Sequence, residues 1–480
     1  MTARVANHDP TMTNRRPPLD PRLTTAVLIG KFAALTCRRL GLGGGTAFPG
    51  ILASRVDPSI SAKLASVLPF GSTLVTGTNG KTTTSRLLAE ILDFAGWTPV
   101  HNRAGANLTS GLTTALIEKS GLNGRSGGDI GVFEVDEAVM PRVLPSIRPR
   151  VIVLTNLFRD QLDRYGEVDF VAGRWRDAVR ALPAEATLVL NADDPGVAAL
   201  GRETAARVLY YGVDGPAADG TELGHVADSK NCPVCGSPLS YVSVSYAHLG
   251  RYRCPDGDFA RPIPDVVASA VSFEGIDASR LNVDGPFGHR EWRFRLPGLY
   301  NAYNLLAAVT GAVALGAPIE AIDAAVEGFS AAFGRLERIR VGGRTLYFAL
   351  IKNPVGFTEV VRTILSEPGD KHLVIAINDN LADGTDVSWL WDADVEALAG
   401  RTRSVVVTGT RGGDMAVRLK YAGVPVDRIH QAPSVEQALD LGMATSPDSG
   451  TLYVLPTYTA MLELRKLASR RGYAERFWES

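Results

Sequence analysis

The sequence predicts an α/β protein in two main parts, a central domain built around a phosphate-binding loop and a second α/β domain after it. Three observations carry that expectation. Short apolar runs alternate with helix-spaced ones, a Gly-Lys-Thr loop separates a strand from a helix at residues 77–82, and the alternation starts afresh near residue 346. A chain of 480 residues at ordinary composition also buries more apolar surface than a single core usually holds.

Residues 1–22 carry Pro10, Pro17, Pro18 and Pro21 among polar side chains, and they read as a disordered extension. Residues 23–60 form a helical segment. Its first helix, expected over 23–42, has apolar residues at helical spacing with Lys31, Arg38 and Arg39 among them, and it is stopped by Gly41, Gly43, Gly44 and Gly45. Two readings stand for it, a helix packed on the main domain and a helix touching a membrane surface. The central domain is expected over 61–338, with strands at 73–76, 130–135, 151–155 and 188–190 and helices at 82–94 and 303–315. Within it, residues 226–262 exchange aliphatic periodicity for Cys, Gly, Pro and Tyr and read as an inserted module. The second domain, 339–480, has apolar strands at 373–377, 404–408 and 451–455.

Composition excludes several function classes. The 50 basic and 51 acidic residues nearly cancel, so wholesale binding to nucleic acid is not expected. Four cysteines cannot form a disulfide framework, and three of them cluster at 232–254, which points to a reducing compartment and a metal. With no apolar run of spanning length and a polar start, the expected location is the cytoplasm, extending to the inner face of the membrane.

The strand ending at Thr76 runs into Gly77-Thr78-Asn79-Gly80-Lys81-Thr82-Thr83, and a helix follows. Gly77 and Gly80 let backbone N–H groups face phosphate oxygens, Lys81 offers a point charge, and the helix N-terminus adds its dipole. Thr82 is placed to give a hydroxyl to Mg²⁺. Glu134 ends an apolar strand, where a carboxylate comes near the phosphate loop and suits the same metal.

The general phosphate-loop pattern places glycine at position 75, where this chain has Val75. Thr76-Gly77-Thr78-Asn79-Gly80-Lys81-Thr82-Thr83 instead resembles the form found in Mur ligases and folylpolyglutamate synthases. That resemblance implies ATP and Mg²⁺ as cofactors, and activation of a carboxylate as an acyl phosphate. Asn156-Leu157-Phe158-Arg159-Asp160-Gln161 is similar to the family's second metal-side motif, with Gln161 where amino-acid-adding members have His. Asn191-Ala192-Asp193-Asp194-Pro195 also fits the family, and a turn after a strand explains it equally well. Asn301 and Asn304 resemble the adenine-side segment, Arg335 the interdomain arginine that meets nucleotide, and Asn107 a residue on the substrate side.

Three features resemble one branch of the family, the MurT-type ligase subunits that amidate lipid II. Cys232-Pro233-Val234-Cys235 followed by Cys254 is similar to a zinc ribbon, with Asp256 as expected fourth Zn²⁺ ligand and His248 as the alternative. Asp383-Gly384-Thr385-Asp386 is similar to the branch's Asp-Gly-x-Asp, whose second Asp completes the Cys-His pair of a separate GatD-type glutaminase partner. Outside the ribbon only Cys37 remains, so no glutaminase nucleophile is credible in this chain and a partner is implied. Lys352-Asn353-Pro354 stands where other members have His-Asn-Pro. The resemblance thus implies a Mur-ligase-like P-loop central domain with an inserted zinc-ribbon-like module and a C-terminal Rossmann-like α/β domain. Its implied reaction is amidation of the α-carboxylate of D-isoglutamate in the lipid II stem peptide, with Lys81, Glu134 and Asp386 as catalytic residues. A ligase adding an amino acid to a muropeptide or folate, and an ATP-regulated scaffold without catalysis, are the rival readings.

Overall fold

The structure, a computed structural model, describes residues 20–40, 46–102, 106–159, 168–214, 223, 227–330 and 335–473. The N-terminal extension up to residue 19, the glycines at 41–45, the turn at 103–105, Gln161 with its neighbours and Gly334 lie outside the described residues.

Strands buried on both faces must be apolar on both faces, and the central runs obey this rule. In Val151–Leu154, Val151 and Val153 join the core on one side of the sheet while Ile152 and Leu154 join the core on the other. Val189 in Thr187–Asn191 takes the first side, and Leu188 and Leu190 the second. Nine strands line up in the order Gly288–Phe294, Ala278–Gly285, Val266–Glu274, Arg207–Val213, Thr187–Asn191, Val151–Leu154, Ser72–Thr76, Ile130–Glu134 and Pro99–His101. From Val266–Glu274 to Pro99–His101 every pairing is parallel; the first three strands form an antiparallel edge. Helix Leu299–Leu315, apolar nearly all round, packs on this sheet against helix Lys81–Phe94, which lies on the same sheet.

Three N-terminal helices, Pro21–Leu40, Phe48–Val56 and Ile60–Ala65, cover helix Thr109–Lys119. Small residues permit the close approach: a Cβ on Gly50 would overlap the Ser110 carbonyl, and the Gly50 N–H donates to Thr114 Oγ1 (2.9 Å). The inserted module holds an antiparallel pair, Ser240–Tyr246 with Leu249–Arg253, above a small core of Leu239, Tyr252, Cys254 and Phe259.

A second sheet runs Arg335–Val341, Arg344–Ala349, Thr451–Pro456, Lys371–Ala376, Thr402–Thr408 and Ile429–Gln431, parallel except for the first pair. It again divides two cores, with Leu373, Ile375 and Val407 on one side and Val374, Val406 and Val454 on the other. Open parallel sheets place ligands beyond the carboxyl ends of their strands, at the point where the strand order reverses. In the larger sheet that point is the end of Ser72–Thr76, which lies between Ile130–Glu134 and Val151–Leu154.

Candidate active site

The loop after Ser72–Thr76 has no room for side chains at its two glycines. Gly77 adopts φ +136°, and a Cβ on it would overlap Thr155 Oγ1; Gly80 adopts φ +87°, and a Cβ on it would overlap Asn304 Oδ1. The loop is held by the segment following Val151–Leu154. Asn79 N–H donates to Asn156 Oδ1 (2.8 Å), and the Asn79 carbonyl accepts from Thr155 Oγ1 (2.7 Å) and Asn156 Nδ2 (3.1 Å). Thr78 Oγ1 accepts from Phe158 N–H (2.9 Å). These bonds fix the loop backbone, so that its geometry is set before any phosphate arrives.

Helix Lys81–Phe94 then starts with Lys81, Thr82 and Thr83 all buried. Lys81 Nζ donates to the Thr78 carbonyl (3.1 Å) and pairs with Glu137 (2.8 Å), a buried ion pair that the sequence reading did not anticipate. Thr82 Oγ1 lies 2.8 Å from Glu134 Oε2, which brings the two expected Mg²⁺ ligands together. Glu134 is placed by a residue that sequence reasoning also missed. Buried Asn102 accepts from Glu134 N–H through Oδ1 (2.8 Å) and donates to the Glu134 carbonyl through Nδ2 (2.9 Å). The Asn107 carbonyl accepts from Asp136 N–H (3.0 Å), which ties Asn107 to the chain two residues after Glu134.

Asn301 and Asn304, at the start of Leu299–Leu315, are linked to each other (3.2 Å), and Asn304 closes over Gly80. Both expected asparagines are thereby brought to the phosphate loop. Arg335 opens Arg335–Val341, and its side chain lies outside the described part. The 191–195 motif is a joint: Asn191 donates to the Thr155 carbonyl (3.0 Å), Asp193 accepts from Tyr303 Oη (2.6 Å), and Asp194 accepts from Leu157 N–H (2.9 Å) while capping the helix at Pro195. Asn191 and Asp194 brace the segment that holds the loop.

The second sheet reaches the same site. Asn353 caps helix Pro354–Leu365 through its Oδ1 and donates from Nδ2 to Asn79 Oδ1 (2.9 Å). Tyr458 feels both Glu134 and Asp383: burial first, then these two carboxylates, push its phenol above the ordinary range. The loop after Lys371–Ala376 separates the two aspartates of Asp-Gly-x-Asp. Asp383 is buried and accepts from Thr459 N–H (2.8 Å), whereas Asp386 is half-buried and accepts from Ser388 N–H (2.8 Å) at the loop surface. The first is a structural staple; the second is only partly covered.

In the inserted module Cys232, Cys235 and Cys254 bring their sulfurs within 4.8 Å of one another. The fourth-ligand expectations do not hold. Asp256 is exposed and lies outside that group; it contributes its backbone N–H to the Cys254 sulfur because the Pro255-Asp256 turn folds the amide back. His248 is fully buried outside that group, with Nδ1 accepting from Asp228 N–H (3.3 Å) and Nε2 facing Asp194 (3.4 Å) without a hydrogen bond. Position 257, three residues after Cys254 as Cys235 is three after Cys232, holds glycine, and a Cβ there would sit 3.7 Å from the Cys254 sulfur. Hydrogen bonds from the Ser237 hydroxyl and N–H lower the exposed Cys235 thiol to about 7, which favours the thiolate that metals need.

Residues 75–254 match the Mur ligase middle-domain family, and residues 350–461 match the MurT ligase C-terminal family. The subunit MurT of lipid II isoglutaminyl synthase (glutamine-hydrolyzing) from Streptococcus pneumoniae is 36% identical over 94% of this chain and 98% of its own. The chain belongs to the MurT family. The MurT of Staphylococcus aureus is 34% identical, again over 94% of this chain and 98% of its own. Among solved structures, a pseudomurein peptide ligase type C from Methanothermus fervidus shares the fold with a TM-score of 0.64 at 22% identity, covering 84% of this chain and 79% of that one. MurF ligase of Thermotoga maritima in complex with ADP gives 0.61 at 15% identity, covering 87% and 85%. Family membership thus agrees with the α/β organisation of the two sheets.

Replacing Asn102 by Ala leaves the buried N–H and carbonyl of Glu134 without partners, at a cost of about 1–3 kcal/mol. The expected outcome is a lower Tm together with weaker Mg²⁺-dependent nucleotide binding, measured by titrating Mg²⁺ at fixed nucleotide. Unchanged Mg²⁺ dependence in a folded variant would show that Asn102 does not position Glu134.

Proposed function

We propose that this chain is the ATP-dependent ligase subunit of a glutamine-hydrolysing lipid II amidating enzyme. It converts the α-carboxylate of D-isoglutamate in the lipid II stem peptide to the amide of D-isoglutamine during peptidoglycan synthesis. The observation that carries this reading is full-length similarity to relatives named as the MurT subunit of lipid II isoglutaminyl synthase.

A carboxylate resists nitrogen attack until one oxygen becomes a good leaving group. The carboxylate oxygen takes the γ-phosphoryl group of ATP, ADP leaves, and an acyl phosphate results. Ammonia then attacks the carbonyl carbon, the carbon–oxygen bond to phosphate breaks, and a proton is lost to give the amide. In this account the backbone of Gly77 to Gly80 and the Lys81 ammonium neutralise phosphate charge, with Glu137 holding Lys81 in the loop. Thr82 and Glu134 would hold Mg²⁺, which supplies charge neutralisation at phosphate oxygens. Asn301, Asn304 and Arg335 belong to the nucleotide side, and Asn107 to the acceptor side.

Ammonia comes from a GatD-type glutaminase partner. Asp386, half-buried on its loop, orients the histidine of the partner's Cys-His pair. Tyr458 is near enough to both the loop's other aspartate and Glu134 to feel their charges, so the partner docks beside the site that consumes its product. The second sheet, with its parallel order and helices on both faces, is read as the Rossmann-like domain that carries this interface. A lipid-linked acceptor places the complex at the inner face of the membrane.

The inserted module is read as a zinc ribbon with three protein ligands. Cys232, Cys235 and Cys254 fit a tetrahedral thiolate site at three corners, and Gly257 occupies the position of the fourth. Loss of a partner outside the coordination sphere costs about 10–100-fold in metal affinity, and a missing direct ligand costs at least as much. Gly257→Cys is therefore expected to slow zinc loss to a competing chelator by about tenfold or more. Equal loss from both proteins would remove the fourth-corner assignment.

The amidation reading is tested with lipid II, ATP and Mg²⁺, supplying either glutamine with the glutaminase partner or free ammonia. Lys81→Ala is expected to abolish product from both donors, and Asp386→Asn to lose glutamine-dependent product by about 10³-fold or more while keeping the ammonia-dependent rate. Loss of both activities in a folded Asp386→Asn complex would reject the orienting role. Amino-acid ligation by the wild type, with no amidation from either donor, would reject the amidation reading itself.

A further inference from the structure

A helix that packs on a globular domain ordinarily turns one apolar face inward and a polar face to water. Helix Pro21–Leu40 is apolar on both. Its inner face, with Leu23, Ala26, Val27, Gly30 and Ala33, is buried against Phe48–Val56 and Thr109–Lys119; Gly30 faces Ala53 and Ile117. The opposite face carries Leu28, Phe32 and Leu35 at successive helical turns, all exposed, with Phe32 72% accessible. The neighbouring Phe48–Val56 adds exposed Phe48 and Ile51 one turn apart. Exposed apolar side chains in such a run mark a surface that meets something other than water.

The charges around this face identify its partner. Between residues 21 and 56 the chain has Arg22, Lys31, Arg38, Arg39 and Arg55 and not one Asp or Glu. Arg38 and Lys31 reach back to Glu118, while Arg39 and Arg55 are exposed. An apolar face whose own two helices carry cations and no acids, Glu118 beside them being paired with Arg38, suits the boundary between anionic lipid headgroups and acyl chains. Among the described residues no helix is long and apolar enough to cross a membrane.

Position relative to the site supports the same partner. Gly50 of Phe48–Val56 packs on Ser110 at the start of Thr109–Lys119, and the chain just before that helix carries Asn107, joined to Asp136 beside the Glu134 strand end. The apolar face is therefore one helix layer from the acceptor side of the site.

We propose that the outer face formed by Leu28, Phe32, Leu35, Phe48 and Ile51 is a docking surface for an anionic bilayer, seating the enzyme over its lipid-linked acceptor. The benefit to amidation rests on the lipid II reading; the binding itself does not. The test uses the full chain in complex with its glutaminase partner and flotation with phosphatidylcholine vesicles, with and without phosphatidylglycerol. Binding is expected only to the anionic vesicles, and Phe32→Glu/Leu35→Glu is expected to lower the bound fraction by about tenfold or more. Phe32→Trp, which keeps the face apolar, is expected to show a blue-shifted emission on vesicle addition. Equal binding of wild type and double variant, or an unshifted Trp, would overturn the proposal. A double variant that instead loses the glutaminase, or turns a dimer of complexes into a monomer, would assign the face to a protein and overturn it as well. With acceptor in vesicles the double variant is expected to slow amidation, and with a short-chain soluble acceptor to match wild type. Wild type inactive on the soluble acceptor would point to a failure of the amidation reading, while the vesicle result would still decide the docking surface.

Discussion

The site depends on the fixed backbone of four residues. Gly77 and Gly80 are walled by Thr155 on one side and Asn304 on the other, so the loop has no side-chain freedom at either turn. Between them, the amide and carbonyl of Asn79 are held by Asn156 and Thr155, and its side chain by Asn353 from the second sheet. One residue thus meets the phosphate loop, the neighbouring strand end and the C-terminal half. A shift of Asn353 is felt at Asn79, and Asn79 stands two residues before Lys81. Such a connection gives the two α/β halves a physical means of acting together on phosphate, since electrostatic stabilisation of a transferring phosphoryl group works only when its donors are already in place.

Charge is managed in the same spirit around this loop. Two buried carboxylates face two groups of the first helical turn, Glu134 against the Thr82 hydroxyl and Glu137 against the Lys81 ammonium. A buried ammonium without a partner would be costly, and the Glu137 pair removes that cost while leaving Lys81 beside the loop carbonyls. Asn102 performs the corresponding task for the backbone of Glu134. The second loop divides labour similarly, with Asp383 spent on holding Thr459 and Asp386 left at the surface.

Much of this was legible in the sequence, and what was not has identifiable causes. The runs read as 151–155 and 188–190 announced themselves because burial on both faces demands continuous apolar residues. The antiparallel edge was not announced: Val266–Glu274 is buried only at Val266 and Ala268 and carries Ser, Glu and Ala, so it offers no such run. The loop glycines, Lys81, Thr82 and Glu134 were recognisable from residue type and position at a strand end. Asn102 and Glu137 were not, because their importance lies in partners 32 and 56 positions away in the chain. The expectation for Asp256 failed for a related reason. A carboxylate beside Cys254 has the right chemistry, but the turn directs its amide to the sulfur and its side chain to water, and chain spacing does not encode that direction.

The central claim is that the acceptor carboxylate is activated by phosphorylation on this chain before nitrogen attacks. It is tested most directly with lipid II whose D-isoglutamate α-carboxylate carries oxygen-18, amidated with ammonia and ATP by the complex. Oxygen-18 is expected in inorganic phosphate in proportion to amide formed, because the labelled oxygen leaves with the phosphoryl group. Amide formation with unlabelled phosphate would contradict it.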